Sequence, residues 1–127
     1  KNFVYNRYLE AKKSKKIISD PFQTGNPTLV DDVANQIKIL IDEEVCGIFN
    51  VVAEGSCTRY EYVKTIIELC ELNTIVEKAK TPFKRIAPVS NNEAAYNFLL
   101  SNMGLNVMKP WKGSLEQFII NNVRNRH

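Results

Sequence analysis

The chain has 127 residues, of which 44% are hydrophobic and 24% charged, and its formal net charge at pH 7 is +3. This length is typical of one domain, which buries about two-thirds of the surface of its unfolded chain. The composition is that of an ordinary globular protein, and no apolar run approaches the roughly 20 residues of a membrane-spanning helix. We therefore expect a single domain over residues 1–127 that does not enter a membrane.

The cysteines and the basic residues indicate the cellular location of the protein and the kinds of partner that it binds. Cys46, Cys57 and Cys70 are odd in number and lack C-x-x-C spacing, so we expect no disulfide framework and a reducing, cytoplasmic location. The lysines from Lys12 to Lys16 have no interleaved aromatic residues, which favours a solvated helix face over a nucleic-acid surface. The chain begins at Lys1 and not at methionine, which suggests part of a longer protein.

The first third of the chain predicts a helix, a strand and a second helix. Residues 2–14 have an amphipathic helical pattern, and residues 16–19 are typical of a short strand. Thr28 follows the turn Gly-Asn-Pro and is predicted to cap the next helix, with Asp31 and Asp32 favouring the positive end of its dipole. The inward face predicted for this helix consists of Leu29, Val33, Ile37, Leu40 and Ile41.

The middle of the chain predicts a buried strand and another capped helix. Residues 47–53 are nearly all apolar, which is typical of a strand buried on both faces of a parallel sheet. Thr58 and Glu61 have capping-box spacing, so a helix is predicted to begin there. Residues 75–80 have a weaker strand pattern, and two prolines predict an irregular loop over residues 82–88.

Two further helices are predicted towards the C-terminus. Ser90 and Glu93 have capping-box spacing, and their helix would end at Gly104. Ser114 and Gln117 are predicted to open a last helix. The alternation of helices and strands indicates an α/β fold with a few short strands and four to five helices.

The usual signatures of an enzyme active site are absent from the sequence. It contains no glycine-rich dinucleotide loop, P-loop, zinc-binding helix or nucleophile elbow, and its single histidine is the terminal His127, which we expect to be disordered. The pairs Tyr8 with Lys12 and Tyr60 with Lys64 have the spacing of one helix face, but chance accounts for such pairs among five tyrosines. We therefore predict no catalytic residue, no cofactor-binding residue and no metal ligand in this chain.

Several segments, in order, resemble one protein family. They are N-F-V at residues 2–4, G-N-P-T followed by V-D-D-V-A within residues 25–34, and G-I-F-N at residues 47–50. Residues 55–62 are similar to the family pattern G-x-x-[ST]-W-Y-E-[FL], and M-G-L and P-W within residues 103–111 are similar to its ending. The chain resembles the C-terminal, substrate-binding part of an extended short-chain dehydrogenase/reductase. The similarity is greatest to the dTDP-4-dehydrorhamnose reductases, among the NAD-dependent sugar-nucleotide epimerases and dehydratases.

This resemblance implies a Rossmann-like reductase whose catalytic half lies elsewhere. An N-terminal dinucleotide-binding half with a Tyr-x-x-x-Lys motif would precede Lys1, and NADP or NAD would bind there and not to this chain. The substrate would be a nucleotide-diphosphate sugar with a 4-keto group. The alternative is a non-catalytic binding or regulatory module with the same fold. In isolation, the exposed edge of the strand at residues 47–53 would favour a homodimer.

The resemblance also implies where substrate binds. The loop at residues 22–24 is similar to the substrate-side loop of the family, although it is two residues longer here. The family often has Arg-Pro where this chain has Glu93-Ala94, and a carboxylate cannot donate to a phosphate, so Arg85 is the candidate replacement. Trp111 could stack on the nucleotide base, although core packing is the favoured interpretation so close to the last helix. The predicted substrate-binding residues are Phe22, Gln23, Thr24, Arg85 and Trp111.

Overall fold

The computed structural model describes residues 2–124, so the expectation for His127 lies outside the described residues. Five helices and four short strands occur in this range, which confirms the predicted α/β class. In chain order they are α1 (Phe3–Lys13), β1 (Lys16–Ser19), β2 (Thr24–Gly25), α2 (Val30–Asp42), β3 (Cys57–Thr58), α3 (Arg59–Leu69), β4 (Ile75–Lys78), α4 (Phe98–Asn102) and α5 (Trp111–Asn122).

Helices α1 and α3 begin at side-chain caps. Asn2 Oδ1 accepts a hydrogen bond from Tyr5 N at 3.0 Å at the start of α1. At the start of α3, Thr58 Oγ1 accepts from Glu61 N at 3.1 Å, and Glu61 Oε2 accepts from Thr58 N at 2.7 Å. These bonds satisfy backbone N–H groups that have no partner inside the helix, and they confirm the predicted capping box.

The hydrophobic core lies between α1, α3 and α5. Ile66 of α3 and Ile119 of α5 are almost completely buried, and the ring of Tyr62 meets that of Trp111 edge-on, with 5.8 Å between centroids. Burying each such side chain stabilises the fold by about 1.5 to 3 kcal/mol. The residues of α1 and α3 that face this core follow the helical periodicity of the sequence, and they are Val4, Tyr8, Ala11, Val63, Ile66 and Ile67.

The predicted strands at residues 16–19 and 75–80 pair with each other. β1 and β4 are parallel, in a register that runs from Lys16 opposite Ile75 to Ser19 opposite Lys78. Ile17 is buried beneath this pair against α1 and α3, so the small sheet forms a second core region. The predicted loop at residues 82–88 contains no helix or strand.

The strand predicted at residues 47–53 is wrong for the described chain. Ile48 is 94% exposed, and side chains take the backbone groups instead of a neighbouring strand. Val52 N donates to Asn97 Oδ1 at 2.9 Å, and Ala53 N donates to Thr28 Oγ1 at 3.0 Å. An apolar run becomes a strand only where another strand accepts its hydrogen bonds, and residues 2–124 supply none along this segment.

The cap predicted at Thr28 is also wrong. Helix α2 begins at Val30, and Leu29 precedes it without a side-chain cap. Thr28 Oγ1 instead donates to Asn26 O at 2.8 Å and accepts from Ala53 N. The Thr28 hydroxyl therefore connects residues 47–53 to the turn before α2 and does not cap that helix.

The inward face predicted for α2 is wrong in part. Ile37 and Ile41 are 47% and 69% exposed, whereas Asp32 and Gln36 are buried. Gln36 Nε2 donates to Leu105 O at 2.9 Å and Gln36 Oε1 accepts from Val107 N at 2.9 Å. Hydrogen bonds to a loop thus decide which side of α2 faces the core.

Asp32 lies in the first turn of α2, as predicted, and it is also a tertiary anchor. Its Oδ2 accepts a hydrogen bond from Ser114 Oγ, and its Oδ1 lies 3.4 Å from Lys109 Nζ. Ser114 was the predicted start of the last helix, but α5 begins one turn earlier, at Trp111, because Ser114 is buried and bonds across to α2.

The helix predicted from Ser90 and Glu93 is wrong as well. Glu93 N donates to Thr24 O at 2.9 Å, so this segment lies beside β2 as an added bridge. Helix α4 is shorter and begins at Phe98; it ends before Gly104, whose φ of +70° fits the predicted C-terminal stop. No helix within residues 2–124 has the length and apolar character needed to cross a membrane.

Candidate functional site

The largest cavity has a volume of about 550 Å³ and lies beside the start of α3. Its walls come from the loop around β2, the first turn of α3 and the segment that follows the 82–88 loop. The polar side chains on these walls belong to Gln23, Thr24, Asn26, Arg59, Arg85 and Glu93. This volume falls within the range typical of small-molecule sites.

Thr24 lines the cavity, and backbone hydrogen bonds fix it on two sides. Together with Gly25 it pairs antiparallel with β3 on one side, and its backbone N donates to Asn91 O at 2.8 Å on the other. Arg59 N donates to Gln23 O at 3.0 Å, which attaches the preceding residue to the start of α3. The backbone of the loop is therefore fixed, while its side chains face the cavity.

Asn26 joins three segments of the cavity wall. Its Nδ2 lies 3.1 Å from Ala53 O, 2.8 Å from Gly55 O and 3.3 Å from Ala95 O. Its Oδ1 accepts from Ala95 N at 2.8 Å. One amide side chain thus connects the turn after β2 to the backbone at residues 53–55 and at residue 95.

Two guanidinium groups line the cavity. Arg85 Nη2 donates to Gln23 Oε1 at 2.7 Å, and the guanidinium carbon of Arg59 lies 5.2 Å from the centroid of the Phe3 ring. Burial lowers the pKa of Arg59, as do the charges of Arg85 and Arg7, while Asp20 acts in the opposite direction. The cavity therefore concentrates positive charge, which favours an anionic ligand.

The predicted substrate-binding residues fall in three neighbouring cavities. Gln23, Thr24 and Arg85 share the largest one. Phe22 lies with Gln23 and Arg85 on an adjacent cavity of about 160 Å³. Trp111 is 6% exposed and lines a third cavity of about 250 Å³.

The third cavity shares Phe3, Pro27 and Tyr62 with the largest one. Burial, and secondarily the nearby Cys57, raises the pKa of Tyr62 to about 12, so its hydroxyl stays protonated near neutral pH. Tyr62 is therefore a neutral wall between the two cavities.

Arg59 is the cavity residue that sequence reasoning missed. The sequence places Arg59 directly after the predicted cap Thr58, and a side chain at that position borders the loop that precedes the helix. Nothing in the sequence indicates that Arg85 and Arg7 come near it, because those residues are remote in the chain.

The side chains of the two tyrosine and lysine pairs make cation–π and ion-pair contacts. Lys12 Nζ lies over the buried Tyr8 ring at 5.4 Å, as a cation–π contact. Lys64 pairs with Glu68 at 3.7 Å, whereas the cation over the Tyr60 ring comes from Lys78. Within residues 2–124 there is also no group of three or more histidine, cysteine or acidic side chains that could hold a metal ion.

The fold matches part of solved Rossmann-like reductases. Residues 1–123 match the model of the RmlD substrate binding domain. The chain belongs to that family, which confirms the predicted resemblance.

Individual relatives agree with this assignment. The chain is 28% identical over 96 residues to dTDP-4-dehydrorhamnose reductase from Mycobacterium tuberculosis, covering 73% of this chain and 32% of the relative. Two solved dTDP-4-dehydrorhamnose reductases have the same fold. The Clostridium acetobutylicum structure has a TM-score of 0.91 at 26% identity and matches 95% of this chain. The Bacillus anthracis structure, in complex with NADP, has a TM-score of 0.90 at 28% identity and matches 96%.

The chain covers only part of these relatives. It spans about a third of the curated relative and 44% of each of the two solved reductases. The shared region is the substrate-binding domain, as the family match indicates.

Proposed function

We propose that this chain is the substrate-binding portion of an NADP-dependent reductase that acts on the 4-keto group of a nucleotide-diphosphate sugar. One observation carries the proposal: in a member of a substrate-binding family, Gln23, Thr24 and Arg85 line one cavity large enough for such a ligand. Arg85 would bind the diphosphate, because a guanidinium group donates two parallel hydrogen bonds to phosphate oxygens. Gln23 orients Arg85 and, with Thr24, offers polar groups to the sugar or the nucleoside.

Phe22 and Trp111 belong to the same proposal through the adjoining cavities. Phe22 is partly exposed beside Arg85 and offers an aromatic surface to a base or sugar. Trp111 would act through the cavity that it shares with Tyr62. Its indole is edge-on to Tyr62 and buried, so it would shape the wall and not stack freely.

Hydride transfer would take place on residues outside this chain. Within residues 2–124, no helix follows a strand through the glycine-rich turn that binds a dinucleotide phosphate, which supports a binding site for NADP in another part of the protein. When bound by the other half of the protein, NADP would supply hydride. This chain would hold the sugar nucleotide in place and exclude water from it.

The other half would cover an apolar surface that this chain leaves exposed. Val30, Ile41, Ile48 and Phe98 are 72%, 69%, 94% and 69% exposed, and the backbone at residues 47–53 has no strand partner among the described residues. A Rossmann sheet would both pair with that segment and bury these side chains. Without it, the same surface would favour self-association into a homodimer, which sedimentation of the isolated chain would detect.

We also propose that the protein is located in the cytoplasm. Cys46, Cys57 and Cys70 are all free, as expected for a protein of the reducing cytoplasm.

Thermal-shift titration of the complete protein tests the proposed function. NADPH and at least one sugar nucleotide from a panel of dTDP, UDP and GDP sugars should each raise the unfolding temperature. A ligand at 100 times its dissociation constant stabilises the native state by about 2.7 kcal/mol. A shift with sugar nucleotides but none with NADPH would favour the non-catalytic binding module, and no shift with any of them would refute the proposal.

A further inference from the structure

The largest cavity contains a guanidinium group that has no hydrogen-bonding partner among the described residues. Within residues 2–124, Arg59 makes a cation–π contact with Phe3, and no oxygen accepts a hydrogen bond from its guanidinium group. Hydrogen bonds fix both backbone groups of Arg59. Arg59 N donates to Gln23 O at 3.0 Å, and Arg59 O accepts from Ser19 Oγ at 3.2 Å. The side chain is therefore oriented by packing, while its donors remain available.

The position of Arg59 makes it the more fixed of the two cavity arginines. Arg59 begins α3 directly after the capping box, whereas Arg85 lies in the exposed loop over residues 82–88 and contacts Gln23. The aromatic face of Phe3, itself stacked on Tyr62 with 5.8 Å between centroids, supports the Arg59 guanidinium. A planar group held against a ring is suited to bidentate recognition of an oxyanion.

The charges near Arg59 also favour binding of an oxyanion. Burial and the nearby charges of Arg85 and Arg7 lower the pKa of Arg59. A bound anion would relieve the repulsion between Arg59 and Arg85, which both line the cavity, so the arrangement favours a ligand with at least two negative oxygens. Glu93 also lines the cavity, so an anion would bind towards the arginines and away from this carboxylate.

We propose that Arg59 and Arg85 together form a two-arginine clamp for the diphosphate of the sugar nucleotide, with Arg59 as the principal contact. This rests on the proposed function. The chain has Glu93 where the family often has an arginine, and Arg59 occupies the position of the tryptophan in the family pattern quoted above. The clamp makes the cavity specific for nucleoside diphosphates over nucleosides.

The test measures binding to the complete protein by calorimetry, with inorganic pyrophosphate, dTDP, thymidine and NADPH as separate probes. Arg59→Gln should weaken pyrophosphate and dTDP binding by about 10- to 100-fold, because charged hydrogen bonds are lost. Binding of NADPH should stay unchanged, and thymidine should bind the two forms equally weakly. Equal dTDP affinity in wild type and Arg59→Gln would overturn the clamp, as would a loss confined to NADPH.

Three further variants keep the test independent of folding. Arg59→Lys retains the charge and the stem but not the planar fork, so its loss should be intermediate. Glu93→Gln removes the opposing carboxylate and should tighten pyrophosphate binding, a gain that misfolding cannot produce. Arg7→Gln is the matched control, because Arg7 contacts the same Phe3 ring but is already paired with Glu10 at 2.6 Å; it should change affinity by less than about 3-fold.

The clamp and the proposed function fail in different ways. Reduction of a 4-keto sugar nucleotide with an unchanged KM in Arg59→Gln would refute the clamp and leave the function standing. Pyrophosphate binding that depends on Arg59, in a protein that reduces no sugar nucleotide, would support the clamp and refute the function. Unchanged pyrophosphate affinity in Glu93→Gln would count against the predicted orientation of the anion.

Discussion

Replacement of Asn26 by alanine should destabilise the protein, because the Asn26 amide joins three segments of the cavity wall. The variant removes hydrogen bonds to Ala53 O, Gly55 O and Ala95 O and leaves Ala95 N without its acceptor. The two bonds of 2.8 Å should dominate, at about 1 kcal/mol each, and a part-buried group left unpaired adds to this. The expected loss is about 2 to 3 kcal/mol, because water can replace the bond to the exposed Gly55 carbonyl.

Urea unfolding followed by circular dichroism measures this loss. For an m-value of about 2 kcal/mol/M, the midpoint should fall by about 1 to 1.5 M. Asn26→Asp keeps the acceptor but sets a carboxylate against carbonyl groups, so it should be at least as destabilising. Asn35→Ala, on the exposed side of α2, is the control and should lie within about 0.5 kcal/mol of wild type. If Asn26→Ala resembled this control, Asn26 would not be the connection that the structure indicates.

Three smaller predictions concern other contacts. Thr58→Ala removes the capping box of α3 and should lower the free energy of unfolding by about 1 kcal/mol in the same urea assay; no change would contradict the cap. Ser114→Ala leaves buried Asp32 without its hydroxyl donor and should lower stability by about 2 kcal/mol, whereas a neutral effect would mean that Lys109 suffices. Burial raises the pKa of the Cys57 thiol to about 12, so Cys57 should react with a thiol reagent at pH 8 far more slowly than exposed Cys46. Because this folded-state pKa is above the ordinary thiol value of 9.0, the contribution of the protonated thiol to stability is present below pH 9.0 and is lost as the pH rises towards 12. Equal labelling rates would refute this burial.

Local patterns predicted the elements that depend on local interactions. Helices α1 and α3, the capping box of α3 and the short strand β1 were predicted correctly, because capping spacing and helical periodicity are properties of neighbouring residues. The stop at Gly104 belongs to the same class, since it requires only a residue that tolerates a positive φ.

Errors arose where distant partners decide the structure. Residues 47–53 have the composition of a strand, but a strand needs a neighbour, and the described chain provides side chains of Asn97 and Thr28 instead. Ser90 and Glu93 have capping spacing, yet the backbone of Glu93 pairs with Thr24. Spacing along the chain cannot reveal such competition between local and remote hydrogen bonds.

The candidate site was predicted in part, for the same reason. The resemblance to a known family indicated the loop at residues 22–24, and a missing arginine directed attention to Arg85. Gln23, Thr24 and Arg85 lie on the largest cavity, and Phe22 lies on the adjacent one. Arg59 was missed because its role depends on the approach of Phe3 and Arg85 in space, whereas the burial of Trp111 agrees with the packing that the sequence favoured.

Steady-state kinetics of the complete protein test the central claim most directly. The assay follows NADPH oxidation with a dTDP-linked 4-keto sugar and compares wild type with Arg85→Gln. We expect saturable oxidation by wild type, a KM for the sugar nucleotide that rises at least several-fold in the variant, and an unchanged KM for NADPH, because the proposed cofactor site lies outside this chain. Wild-type protein that oxidises no NADPH with any 4-keto sugar nucleotide, or a variant with altered affinity for NADPH alone, would contradict it.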